Sequence, residues 1–412
     1  MAPRDERSWV FIVRGAPDID NIVPVAWAAA QQGHRTVVVV ASRYDTTRDP
    51  RFALLTSDPR VQVTCLPEAD VATGLSRLRR VRWCRLRVRR LLRRLNAAVV
   101  CVEWGDGIAG DATPGFAEPM TEMKKRLVSD FVLQVQHAAR DLGIPTVALP
   151  HGHSVKTNLV LSPHVRATLD AHGGKLPFAN RDSFAAYVFC SGYHRDVIVA
   201  NSTMSGHNAV VWGSARFSET WIAELTKLTA GSVNVARRPN TRRVLVFVPK
   251  WHNLVDRAAT MELLTAMSRE SSLHVLVKAH PRADHTSLTA QERSALTAGG
   301  SLEFVEGPAE SAALLGECDV LVDVDSSIAL DAVMRGIPYV RPRWLQDASV
   351  STIWDTCAVA HQPTTLNEAM ELLTGVQISA GTPDDTFVND VIGGRRSAPL
   401  DRYVAELARI AR

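Results

Sequence analysis

The sequence predicts an α/β protein with two domains, each built on a doubly wound parallel sheet. Short runs rich in β-branched residues alternate with helix-compatible stretches along the chain, which is typical of such sheets. The chain has 412 residues, more than one hydrophobic core usually supports. A break at Val233–Arg243, which combines proline, asparagine and arginine, separates two series of strands.

The predicted strands are continuous apolar runs, as expected for strands that are buried on both faces. The first series is Trp9–Val13, Thr36–Ala41, Val61–Cys65, Ala97–Val102, Pro145–Leu149, Ala186–Cys190 and Ala209–Trp212. The second series is Val244–Val248, Leu273–Lys278, Leu302–Val305, Val320–Val324 and Tyr339–Val340. We therefore expect domains at residues 1–235 and 236–395, followed by a C-terminal helix within residues 396–412.

Composition excludes several classes of protein. Hydrophobic residues make up 46% and charged residues 22% of the chain, as in an ordinary globular protein. The six cysteines are scattered without a CxxC pair, which favours reduced thiols over disulfides or a zinc site. Charged residues precede only a short apolar run at the amino terminus, and no apolar stretch approaches the ~18 residues of a spanning helix. We expect a cytoplasmic protein.

Two strands of the second series end in polar residues. Leu273–Lys278 is followed by His280, directly before a proline, and Val320–Val324 is followed by Ser326 and Ser327 at the start of a helix. The carboxyl ends of parallel strands are where ligands bind, and a helix N-terminus attracts phosphate. These residues predict one composite phosphate site. The alternative is that the serines only cap the helix and His280 is an ordinary polar residue.

The KAHP segment and the DVDSSIALDAVMRGIP segment resemble the carboxyl-terminal half of bacterial capsule and teichoic-acid transferases. These are the polysialyltransferases, the capsular Kdo transferases and the CDP-glycerol glycerophosphotransferases. The resemblance covers about Val244–Arg343 and implies a GT-B fold, with two Rossmann-like domains facing each other across a cleft and a terminal helix packed back on the first domain. It implies that His280, Ser326 and Ser327 bind or activate the phosphate of a cytidine-nucleotide donor.

The first series has its own strand-end segment, His151-Gly152-His153-Ser154, in which Gly152 is expected to allow a sharp turn. The segment resembles the QHG element of capsule transferases, with Pro150 in place of glutamine. We expect it to meet the donor phosphate or the acceptor. Its two histidines lack a third ligand at fixed spacing, so we expect no metal and no cofactor.

A candidate general base follows the strand Ala97–Val102. Glu103 and Asp106 flank a glycine-containing loop, where a carboxylate could accept a proton from an acceptor hydroxyl. The segment loosely resembles the acidic motif of polysialyltransferases. We favour Asp106, which directly precedes a glycine, over Glu103. The alternative is an ordinary solvated loop, because Asp-Gly is a common turn dipeptide.

Four further cationic or imidazole side chains are candidates for binding donor phosphates. Arg216 lies in a GSARF segment that resembles the GxxRF element of related transferases. Lys250 and His252 follow the first strand of the second domain, and Arg282 follows His280.

Ten arginines lie between Arg77 and Arg94, interleaved with leucine and valine. Three interpretations are open. The run could be a solvated helix, or it could dock on an anionic membrane surface, where each basic residue contributes ~1 kcal/mol. Nucleic acid ranks last, because only Trp83 offers a stacking surface and no nucleic-acid module is present.

The resemblance to these transferases implies a glycosyltransferase or glycerophosphotransferase of cell-surface polysaccharide synthesis that needs no metal. Its partners would be a CMP- or CDP-linked donor and a glycan or lipid-linked acceptor, with peripheral contact to the inner face of the membrane through the arginine run. Two alternatives remain. One is a non-transferring sugar-nucleotide enzyme such as a UDP-sugar 2-epimerase, and the other is a non-catalytic protein that binds nucleotide or glycan.

Overall fold

The computed structural model describes residues 7–14, 16–41, 45–66, 77–104, 131–159, 163–233, 235–278, 288–305, 311–324 and 326–412. The chain divides into two compact units. The first unit holds the described residues up to His153, together with His172–Trp221 and Asn389–Arg412. The second unit holds the described residues of Ser154–Ala171 and Ile222–Val388.

The first unit contains a seven-stranded sheet in the order β3-β2-β1-β4-β5-β6-β7, with every pairing parallel. The strands are β1 (Ser8–Val13), β2 (Thr36–Val40), β3 (Val61–Cys65), β4 (Ala97–Glu103), β5 (Thr146–Leu149), β6 (Ala186–Phe189) and β7 (Ala209–Val211). The central strands β1, β2 and β4 are buried throughout, which explains why they are continuous apolar runs.

The second unit contains a six-stranded sheet in the order β10-β9-β8-β11-β12-β13, again with every pairing parallel. The strands are β8 (Arg242–Phe247), β9 (Leu273–Lys278), β10 (Leu302–Phe304), β11 (Val320–Val322), β12 (Tyr339–Val340) and β13 (Ala360–His361). Two parallel α/β sheets confirm the predicted fold class.

The helices connect the strands and cover both faces of the sheets. In chain order they are α1 (Ala16–Gln31), α2 (Pro50–Thr56), α3 (Arg77–Arg94), α4 (Phe131–Arg140), α5 (Pro163–Ala171), α6 (Gly192–Ala200), α7 (Glu219–Thr229), α8 (Arg257–Arg269), α9 (Ala290–Thr297), α10 (Ser311–Glu317), α11 (Ile328–Met334), α12 (Leu366–Thr374), α13 (Asp385–Phe387) and α14 (Ala398–Ile410). On the first sheet, residues of α1 and α14 share a core on one face, while α3 and α4 share the core on the other.

Every strand predicted from the sequence is present, with ends that agree to within two residues. The pattern missed β13, which has only two half-buried residues and so offers no apolar run. Strand β11 ends at Val322, earlier than predicted, because Asp323 already belongs to the polar turn that precedes α11.

The C-terminal helix α14 packs on α1 through Leu400, Tyr403 and Leu407. The segment that precedes α14 passes very close to Gly213, where a Cβ atom would lie 2.5 Å from the carbonyl oxygen of Ile392. The φ angle of Gly213 is +93°, and its carbonyl accepts a hydrogen bond of 3.0 Å from the Tyr403 hydroxyl. Both the close approach and the backbone conformation require glycine here.

None of the helices in the described part of the chain combines the length and apolar character needed to span a bilayer.

Candidate active site

The first sheet has a natural binding position at its carboxyl edge, between β1 and β4. Strands β2 and β3 lie on one side of this pair and β5 to β7 on the other. The helices that follow these two strands, α1 and α4, belong to hydrophobic cores on opposite faces of the sheet, and this arrangement opens a crevice at the strand ends. Arg14 is the first residue after β1, and Glu103 is the last residue of β4.

Glu103 is held between a guanidinium and an imidazole in this crevice. Its side chain is almost completely buried, with 4% exposed. One carboxylate oxygen, Oε2, accepts a hydrogen bond of 2.5 Å from the Arg14 guanidinium, and the other, Oε1, is paired with Nδ1 of His151. The His151 side chain is 48% exposed. The buried carboxylate is thus linked to an imidazole that solvent or a ligand can reach.

Asp18, in the first turn of α1, belongs to the same cluster. Its Oδ2 accepts a hydrogen bond of 2.7 Å from the Arg14 backbone N–H, and the Arg14 Nε atom lies 3.5 Å away. Burial raises the pKa of Asp18 above its ordinary value, while Arg14 and His151 oppose that shift by favouring the charged form. The cluster therefore contains groups that can hold, accept or release a proton.

Asp18, Glu103 and His151 are also the described residues most able to hold a metal ion, because one ligand atom from each lies within 4.8 Å of the others. The same two carboxylates already bind the Arg14 guanidinium. A divalent cation would have to compete with this fixed positive charge, and like charges repel at such short range. The donor set therefore favours proton transfer over metal binding.

The HGHS segment places its residues in different surroundings. His151 lies in the crevice, where its carbonyl accepts a hydrogen bond of 3.3 Å from the Asn21 side chain. Gly152 has no left-handed φ angle, and a Cβ atom there would meet nothing within 4 Å, so this turn does not require glycine. The Ser154 hydroxyl accepts a hydrogen bond of 3.3 Å from the Lys156 N–H in the second unit.

His153 lies below the surface rather than in the crevice. It is 5% exposed, its ring lies 5.8 Å from that of Phe217, and neither ring nitrogen has a hydrogen-bond partner among the described residues. Burial, with the nearby charges of His194 and Arg216, lowers its pKa to about 3. The pKa of His194, packed against Trp104 and Phe189, is lowered to about 4 by desolvation. His153 is therefore neutral at ordinary pH.

Arg216 also lies in the first unit, where its guanidinium is 2.9 Å from a carboxylate oxygen of Asp20. Asp20 is shared with Arg51, a buried residue that also forms an ion pair of 2.7 Å with Asp49. Arg216 is thus part of a charged network that joins the segment after β7 to α1 and the start of α2.

The second sheet has its own switch in strand order, between β8 and β11. Lys250 follows β8 and precedes a short 3-10 turn, Trp251–Asn253, which includes His252. Ser326 and Ser327 precede α11, where the Ser326 hydroxyl accepts a hydrogen bond of 3.3 Å from the Ile328 N–H. The Ser326 N–H donates to Asp323, at 2.7 Å. Ser327 makes no side-chain capping bond to the helix, so the two adjacent serines differ in their local structural role.

Neither the scan of family models nor the search of curated protein sequences found a match. Solved structures do match. The UDP-N-acetylglucosamine 2-epimerase of Methanocaldococcus jannaschii aligns with 98% of this chain and 99% of its own, at a TM-score of 0.58 and 11% identity. The enzyme of Neisseria meningitidis, bound to UDP-GlcNAc, aligns over 98% of both chains, at 0.55 and 10%. A glycosyltransferase of Rickettsia africae aligns over 98% and 99%, at 0.54 and 9%.

The fold is GT-B. At identities of 9 to 12% these matches establish the architecture of the chain, and the catalytic groups must be argued from its own residues. Three candidate residues lie outside the described part of the chain, namely His280, Arg282 and Asp106. Of the two candidate bases, Glu103 is therefore the one whose surroundings are described.

Two residues of the crevice at the edge of the first sheet, Arg14 and Asp18, were not singled out by the sequence pattern. Arg14 directly follows the first strand of the chain, so the rule that drew attention to the later strand ends applies to it equally. The signal was present in the RGAPD segment. The sequence alone did not show which residue pairs with Arg14, because Glu103 is 89 residues further along.

Proposed function

We propose that this protein is a non-transferring sugar-nucleotide enzyme that epimerises the sugar of a UDP-linked substrate. The observation that carries the proposal is the Glu103 carboxylate, buried between Arg14 and His151 where the strand order of the first sheet reverses. Such a crevice is the usual ligand position of an open parallel sheet, and the pair supplies an acid–base group there.

The imidazole of His151 is the group that meets the substrate in this proposal. It is half exposed, while Glu103 is buried and paired with it. A carboxylate that orients an imidazole fixes which ring nitrogen carries the proton and stabilises the imidazolium that forms on proton uptake. Inverting carbon 2 of the sugar requires that its proton pass to a base while the bond between carbon 1 and the UDP oxygen breaks, so that the C–H electron pair forms a double bond between carbons 1 and 2. UDP then adds back to carbon 1 as a proton returns to carbon 2 on the opposite face. Asp18, whose pKa is raised by burial, is a second proton-holding group in the cluster.

The nucleotide is assigned to the second unit, which keeps the nucleotide-binding role expected for residues 236–395. Ser326, Ser327 and Lys250 follow the two strands between which the order of that sheet reverses, and hydroxyl and ammonium groups at strand ends suit phosphate oxygens. We assign supporting roles on the phosphates to His280, Arg282 and His252. The acid–base groups of the proposed reaction then come from residues 1–235.

Uridine is the nucleoside to test first in the substrate. The matched Neisseria meningitidis enzyme is bound to UDP-GlcNAc, and a Methanocaldococcus jannaschii structure is in complex with UDP-GlcNAc and UDP. Other matched structures, among them that of Rickettsia bellii, are also UDP-N-acetylglucosamine 2-epimerases. Nothing in these matches favours cytidine.

A second candidate is transfer from a cytidine-linked donor to a glycan or lipid-linked acceptor. The sequence KAHP and the paired serines Ser326 and Ser327 favour it, because they resemble the capsule and teichoic-acid transferases. In that reaction Glu103 and His151 would deprotonate an acceptor hydroxyl rather than a sugar carbon. The pair formed by Glu103 and His151 could thus act as the base in either epimerisation or transfer.

Ligand-dependent stability separates the two candidates. A ligand at 100 times its dissociation constant stabilises the folded protein by ~2.7 kcal/mol, which moves a melting midpoint by a few degrees. The proposal predicts a shift with UDP and UDP-GlcNAc and a smaller one, or none, with CMP and CDP. A shift confined to the cytidine nucleotides would favour the transferase, and no shift with any nucleotide would contradict both candidates.

A further inference from the structure

Helix α3 has one buried face and one strongly basic face. Val88, Leu91, Leu92 and Leu95 recur at helical spacing and are buried in the core beneath the first sheet, together with residues of α4. The opposite face is formed by Leu86, Arg87, Arg90, Arg93 and Arg94, which we call the arginine face. Leu86 is 45% exposed, and Arg90, Arg93 and Arg94 are exposed as well. Packing on one side therefore fixes which side of the helix faces outward.

The charge of the arginine face is not balanced within the described protein. Helix α3 itself contains no acidic residue. Arg85 is bound by Asp141, with its Nε atom 2.9 Å from a carboxylate oxygen. No described carboxylate forms an ion pair with any of the four arginines of the arginine face. Exposed arginines normally lie among acidic neighbours, so this concentration of positive charge indicates an anionic partner.

We propose that the arginine face docks the protein on the surface of an anionic lipid bilayer. Clusters of basic residues on an exposed helix surface are attracted to the negative potential of anionic lipids, and an apolar side chain that enters the boundary between headgroups and acyl chains adds to the binding. Leu86 supplies the apolar contact, and it is one of only four large apolar side chains that are exposed in the described part of the chain. The arginine face, from Leu86 to Arg94, extends over about 12 Å of the helix, so its arginines can contact neighbouring headgroups.

The composition of the face favours lipid over nucleic acid. Single-stranded nucleic acid is bound mainly by basic grooves with aromatic rings on which the bases stack. The described residues of the arginine face carry an aliphatic side chain, Leu86, and no ring. Docking is also independent of the proposed reaction, because none of these residues belongs to the crevice of Glu103.

Co-sedimentation with vesicles tests the proposal. We expect the protein to bind vesicles of mixed phosphatidylglycerol and phosphatidylcholine, to ignore pure phosphatidylcholine, and to release on addition of salt. The double variant R90Q/R93Q should bind about twenty-five-fold more weakly, since each basic residue near an anionic surface is worth about fivefold. The matched control R35Q/R269Q removes two exposed arginines outside α3 and changes the net charge equally, so it should bind as the wild type does.

Three outcomes would overturn the proposal. They are absence of binding to anionic vesicles, equal loss of binding in both double variants, and binding of an RNA duplex with no binding of vesicles. Circular dichroism of R90Q/R93Q establishes that the helix and fold persist. A second variant, L86S, keeps every charge and should weaken the part of vesicle binding that salt does not release.

Discussion

The guanidinium of Arg14 and the carboxylate of Glu103 lie 2.5 Å apart and join the ends of β1 and β4, the two strands between which the order of the first sheet reverses. The pair forms because parallel strands end on the same edge of a sheet, which brings together residues that are 89 positions apart. Arg14 neutralises a carboxylate that is almost fully buried, and it leaves the second oxygen for His151. The buried carboxylate of Glu103 can therefore orient the exposed imidazole of His151.

Replacing Glu103 with glutamine should abolish most of the activity without preventing nucleotide binding. The amide keeps the shape of the side chain but cannot stabilise a protonated His151, so turnover should fall by about 10²–10⁴-fold. The measurement is kcat beside the affinity for UDP. The matched control is E219Q, because Glu219 forms an exposed ion pair with Arg395 away from the crevice. Wild-type turnover in E103Q would remove Glu103 from the mechanism.

Replacing Arg14 with alanine should destabilise the protein by about 3 kcal/mol at neutral pH, because two buried carboxylates lose their counter-charge. This is the lower end for a buried pair, since the Arg14 side chain is 30% exposed. Without Arg14 the pKa of Asp18 rises further, so the folded variant binds more protons than the unfolded chain. Its deficit should therefore shrink at mildly acidic pH.

Urea titrations at neutral and mildly acidic pH measure this deficit. The control variant is R409A, which breaks an exposed ion pair with Glu406 and should cost less than about 1 kcal/mol. An R14A variant as stable as R409A at both pH values would show that the carboxylates do not depend on Arg14.

The strands and several site residues could be predicted because their signals are local. A strand buried on both faces is a continuous apolar run, and Glu103 and His151 lie at or within two residues of the end of such a run. The pairing between those residues could not be predicted, since it depends on which strands are neighbours. Burial is a second property that the local pattern does not give: His151 and His153 are two residues apart, yet one is exposed and the other lies under Phe217.

Ser327 offers a clean test of phosphate binding in the second unit. Its hydroxyl does not cap α11, whereas that of Ser326 does. S327A should therefore leave the free energy of unfolding within about 0.5 kcal/mol of wild type and weaken UDP binding about tenfold, the loss of one hydrogen bond to a charged group. S326A should lose about 1 kcal/mol of stability as well. Unchanged UDP affinity in S327A, measured by calorimetry, would place the phosphates elsewhere.

Two histidines in the first unit should make the protein less stable in acid. The pKa values of His153 and His194 are about 3 and about 4 in the folded protein, below the ordinary value of 6.5 that applies after unfolding. Below that ordinary value the unfolded chain binds more protons than the folded protein. The free energy of unfolding should therefore fall progressively as the pH drops from about 6.5 towards 4.

Denaturant titrations over this pH range check the slope. H153L cannot take up the proton in either state, so its stability should depend less steeply on pH than that of wild type. H172Q, a change at an exposed histidine, is the control and should keep the wild-type slope. Identical slopes in all three proteins would mean that His153 is not held neutral by burial.

Proton exchange at the sugar of UDP-GlcNAc tests the central claim most directly. The protein is incubated with UDP-GlcNAc in D₂O, without any acceptor, and the sugar protons are followed by NMR. The account predicts that the proton at carbon 2 is lost to solvent and a C2 epimer appears with the nucleotide still attached, and that E103Q and H151Q show neither change. Exchange that persists in both variants, or wild-type protein that binds UDP-GlcNAc and leaves that proton in place, would contradict it.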